Sequence, residues 1–290
     1  MNRFALYTLA ESITPPFIFR FLRNNSLCKS ILRSVKKVVQ PVPCKEVTIQ
    51  NGTLQNHTLL VNPAGSWQKQ MIEGTYDEKL FAYIEKHFSL QGKTIYDIGG
   101  HIGYHSLVFS KLVGDDGSVS VFEPNPANAT RIRDILALNP TLEKNIHVFE
   151  CALSDHSGVT NFLSTENIEG GTSSGGFIDE ATPIWEKSTY TDKIGFKVSE
   201  VTINTIDELV EAKKITPPDL LKVDVEGAEH LVLQGAQKTI NKFSPIIFVE
   251  LHSILASYET TTFLLEHKYA MQVVEKEEDG RVMLLATPAK

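Results

Sequence analysis

Residues 96–103 read Tyr96-Asp97-Ile98-Gly99-Gly100-His101-Ile102-Gly103, a short apolar run that stops in a glycine turn. The run from Thr94 reads as a buried strand, and helical spacing resumes after Gly103. About half a βαβ unit later, Val119-Ser120-Val121-Phe122 is a second apolar run, and it ends in Glu123. Adjacent parallel strands then carry a tight turn and a carboxylate at their carboxyl ends, where open α/β sheets bind ligands. That geometry suits a nucleoside: backbone approaches the ligand at the turn, and the carboxylate accepts two ribose hydroxyls. The glycine spacing is D-x-G-x-x-x-G, not G-x-G-x-x-G. With no pyrophosphate to cradle, S-adenosylmethionine fits better than NAD.

The alternation of strand and helix continues outward from this stretch. Asn125-Pro126 is an N-cap and N1 pair opening a helix. Further strands are read at 146–151, 220–223 and 246–251, and a helix starts near Ala228. A helix at 258–267, a strand at 271–274 and a return at 281–286 close the chain. This predicts an α/β fold whose mostly parallel sheet carries one antiparallel strand. Strands at 159–163 and 196–201 interrupt the rhythm, with a Gly/Ser-rich loop between them that is either disordered or a lid that orders over substrate. Thr205-Ile206-Asp207-Glu208 is a capping box. Upstream, Asn51-Gly52 marks a hairpin turn and Gly74-Thr75-Tyr76-Asp77 introduces a helix at 78–88. The expected organisation is a basic extension at 1–45, a hairpin and helix at 46–93, and a ligand-binding domain at 94–290 with an insertion at about 158–204.

The chain has 290 residues and a net charge of −7, with 42% hydrophobic residues, ordinary for a globular protein. No apolar run approaches the roughly 20 residues that span a bilayer. No cleavage site follows the short apolar stretches near the start, so no signal peptide is read. Three scattered cysteines, Cys28, Cys44 and Cys151, suggest a reducing compartment, hence a cytoplasmic protein. Residues 1–45 hold eight Lys and Arg against the single acid Glu11. Such a leader on an acidic body reads as an interaction segment and argues against a nucleic-acid-binding body. Between 27 and 39, Cys28, Ile31, Val35 and Val38 share one helical face, and Lys29, Arg33, Lys36 and Lys37 share another. Residues 17–39 then either dock on the domain with a solvated basic face or touch anionic lipid or a phosphorylated carrier.

Several residues could carry chemistry. Gly99 and Gly103 let backbone approach the methionine part of the ligand, and Asp97 either organises that end or caps the turn. Glu123 is a ribose ligand or a solvated strand-end acid. Ala152, Ser154 and Asp155 border an adenine or form a plain turn. Leu221-Lys222-Val223-Asp224-Val225-Glu226-Gly227 delivers two acids at a strand end. Asp224 would border the sulfonium, and Glu226 would orient substrate or a base. Glu229 reads as a first-turn acid favoured by the helix dipole. Glu250 and His252, two apart, project to one side of the next strand. Asp224, Glu250 and His252 could hold a divalent ion such as Mg²⁺; alternatively His252 is a general base without metal. Lys222 is a buried partner for an acid or a catalytic cation.

As a set, Tyr96-Asp97-Ile98-Gly99-Gly100-His101-Ile102-Gly103-Tyr104, Val121-Phe122-Glu123-Pro124-Asn125-Pro126, Ala152-Leu153-Ser154-Asp155, Leu221 to Glu229 and Phe248-Val249-Glu250-Leu251-His252 resemble the FkbM family of S-adenosylmethionine-dependent methyltransferases. Gly74-Thr75-Tyr76-Asp77 resembles that family's leading motif. The resemblance implies the class I methyltransferase fold, with a Rossmann-like seven-stranded sheet. It also implies O-methylation of a hydroxyl on a sugar, glycolipid or natural product. It places Tyr76, Asp97, Gly99, Gly100, Gly103, Glu123, Ala152, Ser154, Asp155 and Asp224 around the cofactor, and Asp224, Glu226, Glu250 and His252 around the reaction. The chain departs from the family at His101, where Asn is frequent, and at Asp77, where Glu is frequent. The competing readings are a non-catalytic cofactor-binding or membrane-tethered scaffold and, against the glycine spacing, an NAD-dependent oxidoreductase.

Overall fold

The structure is a computed structural model that describes residues 43–165, 175–181, 196–276 and 280–289. The basic leader, including its stretch at 17–39, and loop residues 166–174 and 182–195 lie outside the described residues.

Lys45–Thr48 (β1) pairs antiparallel with Thr58–Val61 (β2). Asn51-Gly52 does not close a two-residue turn between them; residues 49–57 do. The loop carries its own core residues: Ile49 and Leu54 are buried. Backbone bonds from Ile49 N to His57 O and from Asn56 N to Ile49 O close it. Two helices follow, Ser66–Glu73 (α1) and Glu78–His87 (α2). The first has no side-chain cap, which is why periodicity and cap signals pass over it.

The chain continues through Thr94–Ile98 (β3), Tyr104–Val113 (α3), Ser118–Phe122 (β4), Pro126–Ala137 (α4), Pro140–Glu143 (α5) and Ile146–Phe149 (β5). Then come Ala152–Leu153 (β6), Gly158–Thr165 (β7), Phe177–Ile178 (β8), Phe196–Asn204 (β9) and Ile206–Glu211 (α6). The last part holds Leu220–Val223 (β10), Glu229–Gln234 (α7), Gln237–Phe243 (α8), Ile246–Leu251 (β11), Ile254–Glu266 (α9), Tyr269–Lys276 (β12) and Val282–Pro288 (β13). The helix read at 258–267 begins earlier, at Ile254, because the Ser253 side chain accepts from Ala256 N and caps it.

The main sheet has seven strands in the order β12-β13-β11-β10-β3-β4-β5. β13 runs antiparallel to both neighbours, and the remaining pairs are parallel. This is the expected mostly parallel sheet with one reversed strand. Side chains alternate across it. Ile95 joins a core cluster on one face, and Tyr96 and Ile98 join a cluster on the other. Leu59 and Val61 from the hairpin and Met71 and Leu80 from the first helices share the cluster of Ile95. The insertion forms a second sheet together with β6, in the order β6-β9-β7-β8.

The capping box at α6 is built with a third residue. Thr205 Oγ1 accepts from Glu208 N at 3.0 Å. The reciprocal place is taken by Ser157, whose hydroxyl accepts from Thr205 N at 3.3 Å and donates to the Glu208 carboxylate. Thr205→Ala is expected to lower stability by about 1 kcal/mol. Urea unfolding reads this as a lower midpoint, and an unchanged midpoint would mean that Ser157 holds the helix start alone.

Candidate active site

β3 is the switch point of the main sheet, since the chain pairs it with β4 on one side and β10 on the other. Such a point leaves a crevice beyond the strand ends. A cavity of about 1110 Å³ opens there, lined among others by Gly99, Glu123, Ala152, Asp224, Glu226 and His252. Tyr76, Gly100 and Glu250 line it as well.

The turn at its base is tied down from both sides. Gly99 has φ +86, and a Cβ there would lie 1.8 Å from the Asp224 carbonyl oxygen. The Gly99 and Gly100 N–H groups donate to Phe122 O at 2.9 and 3.1 Å. Gly103 begins α3 against Ile132 and is not among the lining residues. Glu123 is buried at the end of β4. Its Oε2 accepts from His101 N at 2.8 Å, and its Oε1 from Asn125 N at 2.9 Å and Asn128 Nδ2 at 3.3 Å. Burial pushes this carboxyl up to about 7, against the pull of those three donors. Thus the acid read as a ribose ligand also fastens the turn to the start of α4. His101 has φ +50 and its ring lies 5.0 Å from that of Trp67, a lining residue from α1 that no sequence signal marks. Burial pulls the His101 imidazole down to about 4, and its buried Nε2 has no hydrogen-bond partner.

Below the turn lies a buried charged row. Lys222 pairs in register with Asp97 across the β3–β10 ladder, and Asp224 follows two residues on, so all three project to one face. Lys222 Nζ is 3.3 Å from Asp97 Oδ1 and 3.2 Å from Asp224 Oδ2. Asp97 is wholly buried and does not line the cavity; its Oδ2 accepts from Ser106 Oγ at 2.5 Å. It therefore supports the turn from behind. Burial works to strip the Lys222 proton, but Asp224 and Asp97 outweigh it and raise its pKa. Burial likewise works to raise Asp224, but Lys222 and the histidines at 252 and 105 hold it at about 2.

His252 sits among carboxylates. Its Nδ1 is 2.6 Å from Glu229 Oε1, and its Nε2 is 3.5 Å from Asp224 Oδ1 and 3.6 Å from Glu226 Oε2. Glu229 is wholly buried and also accepts from Gly227 N at 2.9 Å. It is not simply a first-turn acid serving the helix dipole: it orients the His252 ring. Burial would lower the His252 pKa, yet Glu229, Asp224 and Glu226 raise it to about 9. The surrounding carboxylates thus favour a positive charge at this nitrogen. The trio expected to hold an ion is also regrouped. Arg281, at the start of β13, places Nη1 2.6 Å from Glu250 Oε1, and Glu250 is 3.9 Å from His252. Among the described residues, the ligand atoms brought within 4.8 Å of one another are those of Asp224, Glu226 and His252.

Besides Asp97 and Gly103, two more candidates fall outside the cavity lining. Ser154 is buried and donates to Asp155 Oδ1 at 3.2 Å, and Asp155 lies 2.7 Å from His156 Nδ1. Their loop is fixed against Gly235, where a Cβ would meet Ser154 O at 1.9 Å. Tyr76 lines the cavity, its ring 5.7 Å from that of His105, which in turn places Nε2 2.6 Å from Asp77 Oδ2. Burial, and then the charge of Asp77, raise the Tyr76 hydroxyl above its usual range.

Comparison with known proteins adds the family. Residues 97–272 match the methyltransferase FkbM domain. Hexuronic acid methyltransferase AglP of Haloferax volcanii is 29% identical over 187 residues, covering 64% of this chain and 66% of that protein. Methyltransferase 1 of Beauveria bassiana is 28% identical over 190 residues, covering 63% of this chain and 74% of that one. The chain thus spans about two thirds of the length of the archaeal relative it matches. The crystal structure of an FkbM methyltransferase from Methylobacillus flagellatus shares 16% identity at a TM-score of 0.49, over 69% of this chain and 44% of that chain. S-adenosylmethionine is the cofactor expected of such enzymes, and the sheet is that of the class I, Rossmann-like methyltransferase fold. The matched span starts at Asp97 and runs beyond His252, taking in both ends of the cavity: this chain belongs to the FkbM methyltransferase family.

Proposed function

We propose that this chain transfers the methyl group of S-adenosylmethionine to a hydroxyl oxygen of a sugar, glycolipid or natural product. The observation that carries the reading is one cavity with two differently built ends. At one end Glu123 holds the glycine turn through His101 N; at the other, Asp224, Glu226 and His252 converge.

The residues fit the cofactor. Gly99 and Gly100 put backbone on the cavity wall, Glu123 offers carboxylate oxygens at the strand end, and His101 keeps a buried ring nitrogen without a partner. Tyr76 and Ala152 would flank it. The bound cofactor supplies an electrophilic methyl. The chain's own residues then have to orient an acceptor hydroxyl and take up its proton. Glu226 suits that place. Burial raises its carboxyl, with His252 opposing, and it remains 38% exposed, open enough to meet a substrate. Most of the rate would come from holding the acceptor oxygen in line. The archaeal relative is named for a hexuronic acid, which favours a sugar acid as the first acceptor to try.

Calorimetry with S-adenosylhomocysteine tests the cofactor end. Wild type is expected to bind, and Glu123→Gln to bind about tenfold or more weakly, the worth of a charge-assisted hydrogen bond. Transfer of labelled methyl to a panel of hexoses and hexuronic acids tests the other end. A chain that binds no S-adenosylhomocysteine sinks the reading, and one that binds it but methylates no hydroxyl is the cofactor-binding scaffold instead.

A further inference from the structure

We infer that Asp224, Glu226 and His252 form a binding site for a first-row divalent cation of the Mn²⁺ class, held at the acceptor end of the cavity.

The geometry is that of a ligand set before the ion arrives. His252 Nε2 stands 3.5 Å from Asp224 Oδ1 and 3.6 Å from Glu226 Oε2. Ligands about 2.1 Å from a common ion stand about 3.0–3.4 Å apart at octahedral or tetrahedral angles. A few tenths of an ångström would bring His252 to that spacing from each carboxylate, and the two carboxylates, whose ligand atoms lie within 4.8 Å, would draw together on the ion. The oxygens of Asp224 divide their work: Oδ2 takes Lys222, leaving Oδ1 for the ion.

Acidic residues gather at many strand ends, so the histidine decides. Its side chain is 8% exposed, and Nε2 is buried without a hydrogen-bond partner while pointing between two carboxylates. Its other nitrogen, Nδ1, meets the buried Glu229 at 2.6 Å. A metal-bound histidine is held in the same way, its second nitrogen fixed by a carboxylate so that the first presents its lone pair. The backbone agrees: Glu226 is held at φ +56, a conformation uncommon outside glycine that persists where surrounding structure enforces it. Charge points the same way. Asp97, Asp224, Glu226, Glu229 and Glu250 cluster here, with Lys222 and Arg281 as their permanently charged partners among the described residues.

The donor set names the ion class. Two carboxylates and one imidazole are harder than a zinc thiolate site and softer than the all-oxygen shell of Ca²⁺. Glu250 stays outside the set because Arg281 holds it. With three protein ligands the ion keeps positions open toward the cavity. If the proposed methyl transfer holds, those positions would receive the acceptor oxygen and a neighbouring oxygen and favour the ionised hydroxyl, its proton passing to the Glu226 oxygen that the ion does not engage.

The test is a Mn²⁺ titration of the full chain in chelator-free buffer, followed by the loss of the free-ion EPR signal, with S-adenosylhomocysteine binding measured on each variant as a check of the fold. Wild type is expected to bind a single ion. Glu229→Gln should weaken it about tenfold through the His252 ring, and His252→Ala and Glu226→Gln by more than that. Glu250→Gln should stay within about threefold of wild type, since a residue that supplies no ligand costs less than the outer-shell range. Wild type that takes up no Mn²⁺ overturns the inference. So does equal binding by His252→Ala, or a loss in Glu250→Gln as large as in Glu226→Gln, which would make the site a diffuse acid cluster. The S-adenosylhomocysteine arm bears on the methyltransferase reading alone, so the two proposals fail separately.

Discussion

Gly99→Ala is expected to cost about 4 kcal/mol or more, in the range reserved for damage to a special backbone position or a buried network. Two penalties add. At φ +86 an L side chain is strained by about 1–3 kcal/mol. The new Cβ would also lie 1.8 Å from the carbonyl oxygen of Asp224 and 2.9 Å from its carbon. Neither atom is the end of a flexible side chain. Asp224 N donates to Ile98 O at 3.0 Å, while Gly99 N donates to Phe122 O, so moving the turn breaks a ladder on one side or the other. The turn has nowhere to retreat. Guanidinium unfolding should show the loss, and S-adenosylhomocysteine binding should vanish even where the variant remains folded. A loss below about 1 kcal/mol would mean that the β3 and β10 ends separate easily, contrary to the close packing described here.

The same turn shows which features the sequence makes legible. Gly99 and Glu123 stand out because backbone geometry restricts the first and a strand end carries the second, and both effects are local. The parallel strands are legible for the same reason, as is the single reversed strand from its closing hairpin. Lys222 is visible as a lysine in an apolar strand, but its role depends on which strand lies beside it. Only the register, Lys222 opposite Asp97, shows the charged row. Glu229 is the sharper lesson. A first-turn acid is well explained by a helix dipole, and its partner His252 lies 23 residues away on another element. Glu250 gains a partner that spacing does not show. Its spacing from His252 does put both on one side, yet Arg281 arrives from β13 and claims it. Trp67 and the helix that carries it have neither a cap nor a motif. What sequence pattern conveys is local demand; what it withholds is which distant side chain meets that demand.

Lys222→Met should destabilise the protein by about 3–5 kcal/mol, the cost of removing one member of a buried ionic group and leaving the others behind. Methionine fits the space and keeps the apolar stem, so the loss reports charge more than volume. Lys222 is 2% exposed and Asp97 0%, so water cannot replace the ammonium between the two strands. Asp97 keeps its bond from Ser106, but Oδ1, which has no hydrogen-bond partner even in the wild type, would lose its one compensating charge. A double-mutant cycle separates this from a packing defect. Asp97→Asn leaves Lys222 paired with Asp224 and should cost less than Lys222→Met. Combining the two should recover part of the loss, with a coupling of about 1–3 kcal/mol. Strict additivity would show that Asp97 and Lys222 act independently and that the row is not one unit. The prediction also reaches the site, because Lys222 holds the Oδ2 side of Asp224 and thereby fixes where Oδ1 points. The methionine variant should therefore lose affinity for Mn²⁺ as well as stability. The two losses can be told apart by measuring the ion at low temperature, where the weakened fold is still populated. A variant that is destabilised yet binds the ion as wild type does would show that Asp224 is aimed by its own strand and not by the lysine beneath it.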